Sequence, residues 1–575
     1  MPDIQRPWLA HYDPEVPHSC APVPRPMHSL LQEAAKRWPD RPALIFQNLS
    51  ITYARLNHLS GVLAANLRRQ GLKRGDRVAV MLPNTPQAVI AYWGVLRAGG
   101  TVVFTNPLYM ETEIIHQFQD SGARFLIVLD LLWSKIAPLR SQLPIEKYFV
   151  TSISDGLRFP LGLLYRLRCW REGKIPALPA GDPKVLPWST LTRGFVGYTT
   201  DKLIPEKDLA LLQYTGGTTG LAKGCMVTHA NLYANACQCV AMLPGLSEGH
   251  QIFLGVLPFF HIYGLTVCLN LATAKGATQI LFPRFVPGDL LKAIHKHKPT
   301  AFPGAPSVYI SLLQQKNIAA YDLSSIKYCV SGSAPMPLEW FEQFKRTTGA
   351  RICEGYGLTE ASPVTHINPL DGVAKHGSIG LPVPGTDAKI VDQDLGGPPL
   401  PPGKLGELVV RGPQVMAGYF NRADETADVL RNGWLYTGDI GYMDEDGYFF
   451  IVDRKKDLII SAGYNIYPRE IDEVLHQHPK IQEAVAVGVP CDARGEVVKA
   501  FVVPKEGQSL SRAEVIAFCR QKLAGYKVPR HVEFRESLPK TIVGKVLRRA
   551  LRAEENERAK ACGVPPVVDD TSSEG

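Results

Sequence analysis

Residues Tyr214-Thr-Gly-Gly-Thr-Thr-Gly-Leu-Ala-Lys-Gly224 bring four glycines, three threonines and one lysine into eleven positions. Glycine lets main-chain N–H groups approach anionic oxygens closely, threonine hydroxyls add donors, and lysine supplies a point charge. The stretch predicts a cradle for a phosphate chain built from Thr215, Gly216, Gly217, Thr218, Thr219, Gly220 and Lys223. Alone, such a loop is equally compatible with a flexible turn. It is not a Walker A sequence: Lys223 is followed by Gly224-Cys-Met-Val227 rather than by Ser/Thr and a helix, so no helix dipole is expected to anchor the phosphates. Leu209–Tyr214 before the loop and Cys225–Val227 after it read as buried strands that the loop joins.

Working outward, Arg77–Leu82 reads as a strand, Asn84 or Thr85 with Pro86 opens a helix running to about Arg97, Gly99-Gly100 ends it, and Thr101–Phe104 returns as a strand. This βαβ unit and the alternation that continues to residue 350 predict doubly wound α/β sheets with helices on their faces. Near Asp392–Gly403 the composition turns to Gly, Pro and Asp, and Lys404–Arg411 then reads as a strand of a β-rich subdomain. A boundary is expected at 453–457. Beyond it, Pro468 opens a helix carrying Ile471, Val474 and Leu475 on one face, strands follow at Ala484–Val487 and Ala500–Val503, and Ser511-Arg-Ala-Glu514 is a capping box for a helix that Gly525 ends. The expected division is a large domain over 1–452, a hinge over 453–457, a small α+β domain over 458–559 and a frayed tail over 560–575.

At 575 residues the chain exceeds one hydrophobic core, and 45% hydrophobic with 20% charged residues is an ordinary globular balance. A net charge of +9, with no basic tract interleaved with aromatics, gives nucleic-acid binding little support. Eleven cysteines lack metal-ligand spacing, and the N-terminus has no apolar signal core, which together fit a reducing cytoplasm. The most apolar run, Val256–Ala274, holds Pro258, His261, Gly264 and Asn270, and reads as a buried helix rather than a membrane span.

Two further motifs, Glu354-Gly-Tyr-Gly-Leu-Thr-Glu360 and Gly433-Trp-Leu-Tyr-Thr-Gly-Asp439, follow the glycine-rich loop. Asp453-Arg-Lys-Lys-Asp457, Ser461-Ala-Gly-Tyr-Asn465 and Leu538-Pro-Lys-Thr-Ile-Val-Gly-Lys545 complete the set. In this order the motifs resemble those of the adenylate-forming enzymes: acyl-CoA synthetases, luciferases and peptide-synthetase adenylation domains. The opening Pro7–Pro14, the turn Asn106–Tyr109 and the block Asn432–Asp457 are most similar to bacterial long-chain fatty-acid CoA ligases.

The resemblance implies a two-step reaction with ATP, Mg²⁺ and coenzyme A, in which a fatty acid is adenylated and then transferred to the thiol. It implies that Thr215 to Lys223 hold the β and γ phosphates, that Gly332, Ser333 and Ala334 border the adenine, and that Glu354, Gly355, Tyr356 and Gly357 form the nucleotide wall with Tyr356 on the adenine face. Thr359 would bond the α-phosphate, Glu360 would hold Mg²⁺, Asp439 would accept the ribose hydroxyls, and Arg454 would add a contact. Lys545 would be the catalytic lysine of adenylation. Ser461, Gly463 and Tyr464 would line the pantetheine passage, Phe260, His261 and Gly332 the acyl pocket, and Lys456 would be the hinge.

Aromatic- or medium-chain-acid ligases, a luciferase-type oxygenase, a carrier-dependent adenylation module and a non-catalytic nucleotide-binding protein remain as alternatives. The last needs catalytic losses that intact Lys545, Glu360 and Asp439 do not show. Expected partners are the small molecules alone, without nucleic acid; a homodimer stays open. So does a peripheral membrane contact, since Phe159–Arg171 mixes apolar and basic residues as interfacial segments do.

Overall fold

The computed structural model describes residues 5–179, 181–194, 202–215, 222–461, 464–491, 494–541 and 546–561. The chain divides into two compact units, Met1–Ala388 with Val410–Leu435, and Lys389–Val409 with Tyr436–Gly575.

Two large sheets build the first unit. The nine-stranded sheet runs Leu381–Pro382, Val364–Ile367, Arg351–Gly357, Tyr328–Ser331, Ala301–Gly304, Ile252–Gly255, Thr278–Leu281, Pro42–Phe46 and Leu49–Thr52. The eight-stranded sheet runs Gly418–Tyr419, Lys223–Thr228, Leu209–Thr215, Thr101–Phe104, Arg77–Met81, Phe125–Leu129, Lys147–Thr151 and Val185–Pro187. Their centres are parallel and antiparallel pairs lie toward their ends. Parallel strands covered on both faces need continuous apolar runs, and Phe125–Leu129 is buried at every position.

The βαβ unit forms as expected. Val78 pairs with Val102 on one side and Phe125 on the other. The Thr85 hydroxyl accepts from the Ala88 N–H at 3.4 Å, Pro86 occupies the first turn, and the helix Pro86–Arg97 is buried from Pro86 to Leu96 because sheet and helices enclose it. Val256–Ala274 is not one helix: it begins as a loop, and Ile262 to Ala274 is helical with a π-helical stretch at Leu265–Asn270. Among the described residues no helix is long and apolar enough to cross a membrane.

Two smaller sheets follow. One is β-rich and contains Asp387–Val391, Gly406–Arg411, Trp434–Met443, Phe449–Arg454 and the short strand Leu430–Arg431. The other is ordered Tyr464–Ile466, Ile459–Ser461, Gly495–Pro504 and Ile481–Cys491, with His531–Phe534 parallel to Gly495–Pro504. Ile471, Val474 and Leu475 of the helix Pro468–His476 join Ala484, Ala486 and Val498 in its core.

The segment 453–457 therefore lies inside the second unit. Asp453 accepts from the Arg469 N–H at 2.7 Å and the Ile451 carbonyl accepts from the Arg469 guanidinium at 2.6 Å, which stitches the β-rich sheet to the start of the Pro468 helix. The capping box at Ser511 is present in both directions, but its helix stops at Arg520, short of Gly525. There the N–H groups of Lys522 and Leu523 both turn back onto the Cys519 carbonyl and Leu523 tucks into the small core. The last helix, Arg548–Ala561, runs two residues into the expected tail, and 562–575 lie outside the described residues.

Two buried imidazoles make the first unit acid-sensitive. His28 and His229 meet edge to face at 6.4 Å, and His229 Nδ1 accepts from the Met27 N–H at 3.0 Å, which requires a neutral ring. Burial, with Arg97 nearby, pushes His28 down to about 4; burial, with His28 nearby and Asp208 opposing, pushes His229 down to about 3. The unfolded chain takes up these protons near pH 6.5, so stability is full above that value and falls as pH drops toward 4, at up to about 1.4 kcal/mol per pH unit for each ring. Urea melts between pH 7 and 5 should show this loss, and His229→Gln should flatten the slope while lowering stability at pH 7. An unchanged slope would exclude His229 as a source.

Candidate active site

Thr215 and Lys223 face each other at the base of an antiparallel hairpin, so the expected phosphate loop springs from the ends of two paired strands. Gly216, Gly217, Thr218, Thr219 and Gly220 lie outside the described residues. The Lys223 ammonium pairs with the Glu425 carboxylate and stands 5.2 Å from the centre of the Tyr419 ring. The Tyr419 hydroxyl donates to Glu360 Oε1 at 2.7 Å. One aromatic side chain thus links the hairpin lysine to the carboxylate of the second motif. Beneath the hairpin, the Tyr214 hydroxyl donates to Asp120 at 2.7 Å, and Asp120 also receives Arg422 at 3.2 Å.

The second motif is half strand and half turn. Glu354–Gly357 ends a strand parallel to Tyr328–Ser331 and antiparallel to Val364–Ile367. A Cβ on Gly357 would fall 2.1 Å from the Pro363 carbonyl oxygen, so that position accepts only glycine. The Leu358 N–H donates to the same carbonyl at 3.1 Å, which folds Thr359–Ala361 into one 3₁₀ turn and lifts Thr359 and Glu360 off the sheet. Glu354 spends its carboxylate on backbone, accepting from the Met336 N–H at 3.0 Å and the Gly377 N–H at 3.3 Å, so it ties down the Gly332–Met336 loop. Gly355 sits half-buried between them, and the Tyr356 ring lies 5.9 Å from the His366 ring at 64°. Burial pushes the His366 imidazole down to about 3, leaving a neutral wall behind Tyr356.

Gly332, Ser333 and Ala334 follow the strand Tyr328–Ser331 at its carboxyl end, where open α/β sheets place their crevices. Ser333 has φ 73°, a left-handed conformation uncommon outside glycine. A Cβ on Gly332 would meet the Tyr263 ring at 2.9 Å, and the Tyr263 hydroxyl reaches the Val330 carbonyl at 2.9 Å. The segment carrying Phe260 and His261 therefore backs directly onto this loop. His261 caps its helix, with Nδ1 accepting from the Tyr263 N–H at 3.3 Å. Its ring keeps some surface exposure, yet the surrounding protein pushes it down to about 4, so it is neutral at pH 7. The π-helical turns follow at once, a distortion frequent at functional sites. Gln213 donates to the Phe260 carbonyl at 2.8 Å, while its Oε1 and the Ser331 hydroxyl are buried without a protein partner.

In the second unit, Asp439 is buried and faces Arg454 across a strand pair, with Arg454 Nε 2.9 Å from Asp439 Oδ1. The Lys456 carbonyl accepts from Arg552 at 3.1 Å. Ser461 is buried, and Tyr464 is exposed with its ring stacked on Tyr526 at 4.7 Å. Gly463 and Lys545 lie outside the described residues. On either side of Lys545 in the chain, Lys540 pairs with Val546 in an isolated antiparallel bridge. Arg548, three residues on, reads in the sequence as part of a basic surface stretch; it is instead half-buried against Asp472, with Asp457 at 3.7 Å. Burial pushes the Asp472 carboxyl up to about 6 even with that arginine beside it.

Tyr419, Glu425 and Arg548 escape sequence reasoning. Tyr419 sits in a two-residue strand, too short to show a period, and the partners Glu360, Lys223 and Asp472 that the three meet are far away in the chain. Among the described residues no cluster of three or more His, Cys, Asp or Glu could hold a metal by itself.

The model of the AMP-binding enzyme family matches residues 31–420, and that of the AMP-binding enzyme C-terminal domain matches 470–545. A long-chain-fatty-acid–CoA ligase of Bacillus subtilis is 49% identical, covering 96% of this chain and 99% of the relative. One of Escherichia coli is 41% identical over 96% and 98%. Among solved structures, the anthranilate CoA ligase AuaEII in complex with anthranoyl-AMP superposes with a TM-score of 0.81 at 27% identity, covering 94% of this chain and 99% of that one. With a hairpin at Thr215 and Lys223, a Thr-Glu turn and a crevice loop at strand ends, and with both family models matched in order, the chain belongs to the adenylate-forming family of AMP-binding enzymes.

Proposed function

We propose that this enzyme joins a long-chain fatty acid to coenzyme A through an acyl-adenylate. The observation that carries the nucleotide chemistry is the Lys223–Tyr419–Glu360 linkage, which ties the phosphate hairpin to the turn bearing Thr359 and Glu360. The acyl class rests on the 49% and 41% identity to ligases of long-chain fatty acids. An aromatic substrate has weaker support, from a feruloyl-CoA synthase of Amycolatopsis at 36% identity and a structural neighbour at 27%.

In the first step a carboxylate oxygen attacks the α-phosphorus of ATP, a P–O bond to the β-phosphate breaks, and pyrophosphate leaves. In the second the thiol of coenzyme A attacks the acyl carbon and AMP leaves, its phosphate taking the electron pair. Lys223 exchanges Glu425 for the β and γ phosphates, Thr359 donates to the α-phosphate, and Glu360, held by Tyr419, is the carboxylate for Mg²⁺. The cation supplies charge neutralisation on the phosphates. Gly332, Ser333 and Ala334 edge the adenine, with Tyr356 as its flat apolar platform. Neutral His261 and Phe260 border the reacting carboxylate without adding a competing charge. Asp439 accepts the ribose hydroxyls, and Arg454 turns from it to the nucleotide. Lys545 brings its charge to the attacking carboxylate and α-phosphate, and Ser461, Gly463 and Tyr464 guide the pantetheine.

Lys545 and Gly463 both belong to the second unit's chain, yet one serves the phosphate and the other the thiol. A single placement serves both poorly, so Lys456 is assigned as the hinge between the two half-reactions.

Three variants test these assignments. Tyr419→Phe removes a hydrogen bond to a charged group, and kcat/KM for Mg-ATP should fall about ten-fold or more, with a higher Mg²⁺ requirement; an unchanged Mg²⁺ titration would detach Tyr419 from Glu360's role. Lys545→Ala should slow adenylation by about 10²–10³ while sparing thioester formation from supplied acyl-adenylate. Equal losses in both half-reactions would remove that role. Lys456→Pro fixes φ near about −65° and should slow coenzyme A-dependent turnover far more than pyrophosphate exchange; if both fall together, the hinge lies elsewhere.

A further inference from the structure

We propose that the helix Leu161–Arg171, with the chain on either side of it, is a docking face for an anionic phospholipid bilayer. The helix is inverted. Cys169 is buried and Tyr165 and Gly162 are half-buried, which marks the side packed on the protein. At 100° per residue, Leu163, Leu164, Leu167 and Trp170 project from the opposite side, each at least 48% exposed and Trp170 71%. A surface helix of a globular protein turns its apolar stripe inward; this one turns it to water. Phe159 before the helix is 83% exposed and extends the patch. Of the 21 exposed large apolar side chains among the described residues, eight fall within 159–178. Scattered single exposures are normal, whereas a contiguous set marks an interaction surface.

Charge selects the occupant. Arg166 and Arg168 border the apolar stripe on its two sides, and Arg171 lies within it. Over 158–174 five basic residues stand against one acid, Glu172, a net +4, and Glu172 is shared between Arg168 at 2.7 Å and Lys174 at 2.6 Å. Apolar side chains that reach below the headgroups, bordered by arginines that stay among them, are what an anionic bilayer binds. A second copy meeting this face by two-fold symmetry would bring its own +4 against the first, which disfavours self-association. The patch is fixed to the body rather than carried on a tail: the Arg158 N–H donates to Asn48 Oδ1 at 3.2 Å, and Asn48 Nδ2 donates back to the Arg158 carbonyl at 3.3 Å. Only the purpose of docking, capture of a substrate that partitions into bilayers, rests on the proposed reaction.

The test is sedimentation of the full chain with vesicles of phosphatidylcholine, with and without one-third phosphatidylglycerol. Binding is expected to need the anionic lipid and to fall at least about ten-fold in the Arg166→Glu, Arg168→Glu, Arg171→Glu triple variant, since each basic residue near such a surface contributes about five-fold. Leu167→Asp with Trp170→Asp should abolish it, and the blue shift of tryptophan emission on anionic vesicles should vanish in Trp170→Phe. All these side chains are exposed, and unchanged thermal melts verify that the variants fold. Equal binding by the triple variant, equal binding to uncharged vesicles, no binding by the wild type, or a dimer that the same variants dissociate would each overturn the proposal. Binding is read without turnover, so this result and the ligase assays fail independently.

Discussion

The segment Met416–Phe420 is hydrogen-bonded to both sheets of the first unit, and the candidate site depends on that lacing. The Met416 N–H donates to the Glu360 carbonyl at 2.8 Å, at the end of the nine-stranded sheet's motif. The N–H groups of Ala417 and Phe420 donate to Met226 and Gly224, on the hairpin of the eight-stranded sheet. Backbone bonds of this kind fix a distance rather than a preference. Tyr419 lies between these anchor points, so its hydroxyl on Glu360 and its ring beside Lys223 are consequences of the lacing. Two residues 137 positions apart thereby act as one constellation.

A second constraint is close packing at two glycines. Gly357 lies against the Pro363 carbonyl and Gly332 against the Tyr263 ring, in each case nearer than a Cβ allows. Both are the places where a strand must give way to a turn that presents polar groups. Close-packed interiors tolerate no added methyl there without displacing the turn itself. The rings nearby are neutral for the same physical reason: His261 and His366 lose the solvent that would support a charge, and burial holds both well below neutral pH. The two imidazoles of these walls thus carry no charge at neutral pH.

How much of this was legible in the sequence follows from the range of each interaction. Leu209–Thr215, Pro86–Arg97 and the Ser511 cap were readable because strand burial, proline placement and capping are set within a few residues. The end of the Ser511 helix was not, because Leu523's packing decided it before Gly525 was reached. Arg548 looked like a surface charge beside Lys540 and Arg549; its partner Asp472 is 76 residues away, and no local pattern announces a pairing at that distance. The motif residues were legible for a different reason, through resemblance, and that route names residues without giving their contacts. It marked Glu354 as a nucleotide residue without showing that its carboxylate accepts from two backbone N–H groups.

The pairing of cations with acids inside each unit bears on how a nucleotide could be held loosely enough to turn over. Lys223 has Glu425, and Arg454 has Asp439. The acid of the first pair, Glu425, keeps substantial exposure, whereas Arg454 is paired with the buried Asp439. Partly exposed ion pairs are worth about 1 kcal/mol or less, so exchanging such a carboxylate for a phosphate costs little. The Arg548–Asp472 pair is more enclosed, with side chains 18% and 14% exposed, and removing one partner there would cost more. The more open acid makes Lys223–Glu425 the easier pair to exchange for another anion, while Arg548–Asp472 ties the helix Arg548–Ala561 to the helix Pro468–His476 within the second unit.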